Sequence, residues 1–231
     1  AKRKYPSKGN IYELEAKLAT LIEDNERVTS ALEKSLSENN RDPYTATRLA
    51  ATYRNRGKID KAIEIVRSAL ERRSNDFRLN FQLAELIRGS NQGSPEELIY
   101  YYRRAFTPGD KNYQAQFWFA RYSYVLNDPE SIKTAKEMFE ILRSARLDYE
   151  SKIAIQDYWM DGGQKASFLG SLSGRQAAYG FITQDGRAEN IFCPSNSVSD
   201  NLWECLSEKD RLRFNIGFTF KGPVCCDVEP I

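Results

Sequence analysis

Apolar residues recur at two different spacings along the chain, and the change between them falls near residue 160. Between 10 and 160 the interval is helical. The stretch 11–36 carries Leu14, Leu18, Leu21, Ile22, Val28, Leu32 and Leu36 at that interval. The stretch 48–70 sets Leu49, Ala50, Tyr53, Gly57, Ala62, Val66, Ala69 and Leu70 in a small-large order that predicts two helices around a turn at Gly57. Ala50 and Ala62 let those helices approach closely, while Tyr53 and Leu70 fill the gap that remains. A second unit begins at Phe77, with Leu83, Ala84 and Ile87, then Leu98, Tyr102, Ala105 and Phe106; its turn, 88–95, carries a small insertion of Gly, Ser and Asn. A third begins near Tyr113, with Phe119, Ala120 and Tyr124, then Ala135, Phe139 and Leu142; its turn at Asn127-Asp128-Pro129-Glu130 also reads as lengthened. One more amphipathic helix is predicted over 149–160, placed to cap the last apolar face. Asp161-Gly162-Gly163-Gln164 then breaks the pattern.

Past the break, short apolar runs read as strands. Tyr179-Gly180-Phe181-Ile182 puts Tyr179 and Phe181 on one strand face, because residues i and i+2 project the same way. Phe192, in Asn190-Ile191-Phe192, can join them across a hairpin. Adjacent rings on one sheet face suit single-stranded nucleic acid, since stacking on a ring is worth roughly 1–3 kcal/mol per base. The competing reading is that strand aromatics simply fill a core. The other aromatic run, Tyr100 to Tyr124, has rings on nearly all sides of a helix and reads as repeat core rather than a ligand groove.

Both halves resemble known families. The small-large pattern of 48–70 and its two successors resembles the tetratricopeptide repeat, a helix-turn-helix unit of about 34 residues. The segment 170–228 resembles the cold-shock domain, a five-stranded oligonucleotide-binding barrel. Tyr179-Gly180-Phe181-Ile182 looks like that family's first ribonucleoprotein motif, and Ile191-Phe192-Cys193-Pro194 resembles the second. Trp203 falls at the family's loop aromatic, Leu212-Arg213-Phe214-Asn215-Ile216 at a Val-x-Phe-x-Ile strand, and the run from Lys221-Gly222-Pro223 to Val228 at the closing strand. The resemblance implies that Tyr179 and Phe181 stack bases as a pair, Phe192 stacks from the second motif, Trp203 acts as a loop lid and Lys221 contacts the backbone. Gly174, Ala177, Pro194 and Ser195 stand where the family carries Trp, Lys, His and an aromatic, so about half the stacking platform survives.

Charge adds little to the platform. From residue 166 onward six Lys and Arg face eight Asp and Glu; with a net charge of +2 for the whole chain, the preceding part is at +4. Phosphate neutralisation normally supplies most non-specific affinity, so binding here is expected to rest on stacking. Basic pairs such as Arg72-Arg73 and Arg103-Arg104 sit among acids and read as solvated helix faces.

The chain has no His, which removes the commonest general base and metal ligand at neutral pH. The four Cys (193, 205, 225 and 226) form no C-x-x-C pair. Cys225 and Cys226 point to opposite faces of a strand and read as reduced structural thiols, which favours the cytoplasm. Phosphate-loop and dinucleotide glycine motifs are missing, as is an apolar run long enough to span a bilayer. The opening without Met suggests a piece of a longer protein.

The expectation is therefore an α+β multidomain protein: a flexible basic arm over 1–9, tetratricopeptide-like helical repeats with a capping helix over 10–160, a linker over 161–166, and a five-stranded cold-shock-like barrel over 167–231. Its expected function is non-enzymatic binding of single-stranded RNA or DNA, RNA first, with a protein or peptide partner in the repeat groove, no cofactor, no metal and no membrane. The alternative is an interaction or sensor fragment of a larger regulatory protein whose barrel has lost nucleic-acid binding. A third possibility is that the basic helices alone bind structured RNA through phosphate contacts.

Overall fold

A computed structural model describes residues 8–38, 42–107 and 109–231 of the 231-residue chain. The basic arm expected over 1–9 lies outside the described residues up to Ser7, and Lys8 and Gly9 already belong to the first helix. The chain divides into two compact units, 1–119 and 120–231, and the division falls inside a helix.

The first unit is helical: α1 (Lys8–Leu21), α2 (Asn25–Glu38), α3 (Pro43–Asn55), α4 (Ile59–Arg72), α5 (Phe77–Ser90), α6 (Pro95–Arg103) and the first half of α7 (Tyr113–Leu126). Three of the starts have a side-chain cap. Asp42 caps α3 by accepting from the Tyr44 N–H at 3.1 Å, and Pro43 follows at the first helical position, where a missing N–H is harmless. Asp76 accepts from Leu79 N–H at 3.0 Å to start α5, and Ser94 accepts from Glu97 N–H at 3.2 Å ahead of Pro95 to start α6. Gly57, at φ +72, makes the turn between α3 and α4 that a side chain would strain. Ala50 and Ala62 are fully buried on either side of it, so the predicted close approach is present. Facing outward, α1 exposes Ile11, Leu14, Leu18 and Leu21, and Ile22 in the turn after it is exposed as well.

The second unit holds the rest of α7, then α8 (Pro129–Ser144), α9 (Tyr149–Ala154) and eight strands. Asp128 caps α8 by accepting from Ser131 N–H at 2.9 Å, and Asn127 and Asp128 alone separate α7 from α8, so this turn is short and not lengthened. The helix expected over 149–160 ends at Ala154. Gln156–Tyr158 forms β1, which pairs antiparallel with β7 from Gln156–Thr219 to Tyr158–Gly217. Arg121 holds it there, donating from Nε to Asp157 Oδ2 at 2.8 Å and from Nη2 to the Tyr158 carbonyl at 3.2 Å. In place of the expected linker over 161–166, β2 (Met160–Asp161) and β3 (Gln164–Lys165) pair as a small hairpin.

The main sheet has six strands rather than five. It contains β1, β4 (Ser167–Ser173), β5 (Tyr179–Gln184), β6 (Asn190–Pro194), β7 (Arg211–Thr219) and β8 (Gly222–Pro230), in the order β1-β7-β4-β5-β6-β8, and β8 also pairs with β7. Alternation builds its core. Leu212, Phe214 and Ile216 of β7 are buried with Leu172, Ile182, Ile191, Cys193, Cys225 and Val228; a bulge in β8 near Asp227, at φ +48, brings both Cys225 and Val228 inward although they are three residues apart.

Candidate nucleic-acid interface

Alternation fixes the outward side of β5 and β6. Ile182 and Ile191 point into the core, so Tyr179, Phe181 and Phe192 must point away from it, and the strand register sets Phe181 opposite Phe192. The three rings meet. Centroids lie 5.9 Å apart for Tyr179–Phe181, 5.7 Å for Tyr179–Phe192 and 6.1 Å for Phe181–Phe192. Tyr179 and Phe192 are tilted by 33°, whereas Phe181 stands edge-on to both, at 85° and 70°. Tyr179 retains 40% and Phe192 43% of its surface in the open, and Phe181 is half-buried between them. Exposed faces at van der Waals spacing can stack flat unsaturated rings.

Trp203 does not join them. Expected as a loop lid, it is 4% exposed, carried under the sheet by the 3₁₀ segment Ser199–Cys205. Its indole N–H donates to the Gln176 carbonyl at 3.0 Å, and its own carbonyl accepts from Arg175 Nε and Nη2 at 3.1 and 2.9 Å. Gly180 makes room for it: a Cβ there would stand 3.1 Å from Trp203 Cη2 and 3.3 Å from Leu172 Cδ1. The glycine of the Tyr-Gly-Phe run is thus filled from behind by tryptophan, and the rings in front gain a rigid backing. The glycine at position 174 also has a structural reason. Gly174 takes φ +58, where any side chain is strained, and a Cβ there would touch the Phe181 ring at 3.4 Å. Glu208 pins this turn, accepting from the N–H groups of Gly174 and Arg175 at 3.2 and 2.7 Å.

Lys221 sits in the β7–β8 turn, exposed, with its ammonium 5.7 Å from the Phe220 ring centroid and no ion pair among the described residues. It borders a groove of about 210 Å³ that also touches Phe181 and Phe192 on one side and Lys136, Phe139 and Arg143 of α8 on the other. Phe139 packs against the turn, about 3.6 Å from where a Cβ on Gly222 would lie. Arg143 Nη2 donates to the Lys221 carbonyl at 2.9 Å, and its Nη1 meets Glu140 at 2.9 Å; Lys136 reaches Glu189 at 3.4 Å. A negative sheet therefore gains a margin where three cations face two acids, and the surplus charge is that of Lys221. Lys136 and Arg143 lie on one helical face, at i and i+7. That spacing is visible in the sequence, but nothing in it says that the face meets the sheet.

Arg187, at the end of the β5–β6 turn, braces the same corner. Its guanidinium lies 4.6 Å from the Tyr124 ring and 5.1 Å from the Trp159 ring, and Nη1 donates to the Tyr124 carbonyl at 3.1 Å. Burial pushes the Tyr124 phenol above its ordinary range. Among the described residues no group of His, Cys, Asp and Glu could hold a metal ion, and no helix is long and apolar enough to cross a membrane.

No protein-family model and no curated protein sequence matches the chain significantly. Solved structures do resemble it. A tetratricopeptide repeat protein from Parabacteroides merdae matches at 16% identity over 64% of this chain and 58% of that one, with a TM-score of 0.51. MamA matches at 16% identity over 58% of this chain and 70% of its own, with a TM-score of 0.47. The first tetratricopeptide repeat domain of Spaghetti, bound to an HSP90 peptide, matches at 14% identity over 52% and 97%, with a TM-score of 0.44. The helical region is tetratricopeptide-repeat-like, and it is followed by a β-sheet region.

Proposed function

We propose that this chain binds single-stranded nucleic acid, RNA in the first instance, across the outer face of β5 and β6, while its helical repeats hold a protein or peptide partner. The observation that carries this reading is the exposed three-ring cluster of Tyr179, Phe181 and Phe192, with centroids 5.7–6.1 Å apart and a tryptophan-backed glycine between two of them. The order of the strand pairings, which return from β8 to β7, is compatible with the cold-shock-like barrel that the motifs suggest. In this reading bases stack on Tyr179 and Phe192, Phe181 supports them edge-on, and Lys221 takes a backbone phosphate with Lys136 and Arg143 beside it. Trp203 plays a packing role. Two or three stacks at roughly 1–3 kcal/mol each correspond to micromolar affinity or weaker, because each 1.4 kcal/mol is about tenfold.

Fluorescence anisotropy with a labelled single-stranded RNA, comparing the parent chain with Tyr179→Ala/Phe181→Ala, tests the reading. Micromolar binding by the parent and at least tenfold loss in the variant support it. No binding by the parent at low salt leaves the sheet as a protein-docking surface.

A further inference from the structure

Strands β6 and β8 run parallel and meet through one backbone pair, Phe192 with Val224, whereas β7 and β8 are paired from Leu212–Pro230 to Thr219–Gly222. The β6–β8 seam is thus held by far fewer backbone contacts. The next residue on each strand is a cysteine. Phe192 faces outward, so alternation turns Cys193 inward, and Cys193 and Cys225 are both fully buried. Parallel neighbours lie about 4.8 Å apart, inside the roughly 4.4–6.8 Å Cα separation that a disulfide spans. Cys225 Sγ aims back at β6, 3.8 Å from the Ile191 carbonyl, and Cys193 Sγ lies 3.6 Å from Ser197 Oγ. The other cysteines are placed elsewhere. Cys226 points to the opposite side, where a Cβ on Gly217 would meet its Sγ at 2.9 Å, and Cys205 is exposed at the end of the 3₁₀ segment.

We propose that Cys193 and Cys225 form a reversible intrachain disulfide that staples the β6–β8 seam, made by exchange with a small-molecule disulfide such as oxidised glutathione. The Cys193 thiolate attacks one sulfur of the small disulfide, forming a mixed disulfide and releasing one small thiolate. The Cys225 thiolate then attacks the Cys193 sulfur and releases the second. Two protein thiols are oxidised, one disulfide is reduced to two thiols, and the two cysteine protons pass to the leaving thiolates. The order follows from the surroundings. The neighbouring Cys225 thiol, helped by the Ser197 hydroxyl, holds the Cys193 thiol below its ordinary range, while burial pushes Cys225 up, and the thiolate is the attacking species. Access comes from local opening of the thinly paired seam. Once closed, the bridge ties the strand bearing Phe192 to the strand that follows Lys221, so oxidation stiffens one border of the groove whatever that groove binds.

The test uses the full chain carrying Cys205→Ser, which removes the exposed thiol. After incubation with oxidised glutathione, or with dithiothreitol as the reference, the protein is unfolded and alkylated, and its peptides are mapped. The oxidised sample is expected to show two fewer alkylatable cysteines, a cross-linked peptide joining Cys193 to Cys225, and a higher thermal midpoint than the reduced sample. Cys193→Val removes the cross-link, as does Cys225→Val. Unchanged alkylation, a stable glutathione adduct without the bridge, or a bridge mapped to Cys226 overturns the proposal, and the mapping alone decides this even where a valine variant folds poorly.

Discussion

Two of the protein's clusters of aromatic rings look alike in composition and differ in burial. In the helical unit Tyr102 and Phe117 are fully buried, and Phe106, Trp118 and Phe119 nearly so. Tyr102 and Trp118 stack at 6.4 Å, and Phe106 meets Phe119 edge-on at 5.7 Å. The Tyr102 hydroxyl is satisfied from within. The Tyr102 hydroxyl donates to Glu85 at 2.6 Å and accepts from Arg88 Nε at 3.1 Å, while Arg88 lies 4.0 Å over the Trp118 ring. Burial drives the Tyr102 phenol far above its ordinary range. On the sheet, Tyr179 and Phe192 keep their faces in solvent, with Phe181 half-buried beside them. Helical spacing wraps rings on all sides and forces them inward; strand alternation puts them on one side and leaves them there. The first cluster is therefore bound up with folding, and the second lies on the outer face of the sheet.

Substitutions can break this contrast, and the largest effects should come from the interior. Phe117→Ala is expected to cost about 3–5 kcal/mol in urea denaturation, the range for deleting a fully buried ring. Trp203→Ala should fall in the same range, because Trp203 belongs with the buried rings in spite of its place among nucleic-acid motifs; a cost below about 1 kcal/mol would mark it as a surface lid after all. Gly180→Ala comes next, at about 1–3 kcal/mol for overpacking against Trp203 and Leu172. Tyr102→Phe should cost about 1 kcal/mol, since Glu85 and Arg88 keep each other when the hydroxyl goes. The smallest change in stability, under about 1 kcal/mol, is expected for Tyr179→Ala and Phe192→Ala. Those two should instead weaken single-strand binding by roughly 1–3 kcal/mol each.

Much of this contrast can be read in the chain, for identifiable reasons. The small residues Ala50 and Ala62 and the turn at Gly57 are local signals, and the helices they predict are present. The facing of Tyr179, Phe181 and Phe192 follows from alternation over a few residues. What is not legible depends on distant partners. Gln156–Tyr158 is too short to show a period, and it becomes a strand because β7, some sixty residues later, offers an edge. Trp203 sits in a segment whose spacing suits a lid or a plug equally well, and only the space behind Gly180 decides between them. Lys136 and Arg143 read as a solvated helix face until α8 is seen beside the rings.

The central claim is that unpaired bases stack on Tyr179 and Phe192, with Phe181 supporting them edge-on. The most direct measurement compares the affinity of the chain for a single-stranded oligonucleotide with its affinity for an abasic sugar-phosphate strand of the same length, each at low and at moderate salt. Stacking predicts at least tenfold weaker binding of the abasic strand and a shallow salt dependence for the intact one. Equal affinity for the two strands, with a steep fall in salt, would contradict it and place binding in phosphate contacts alone.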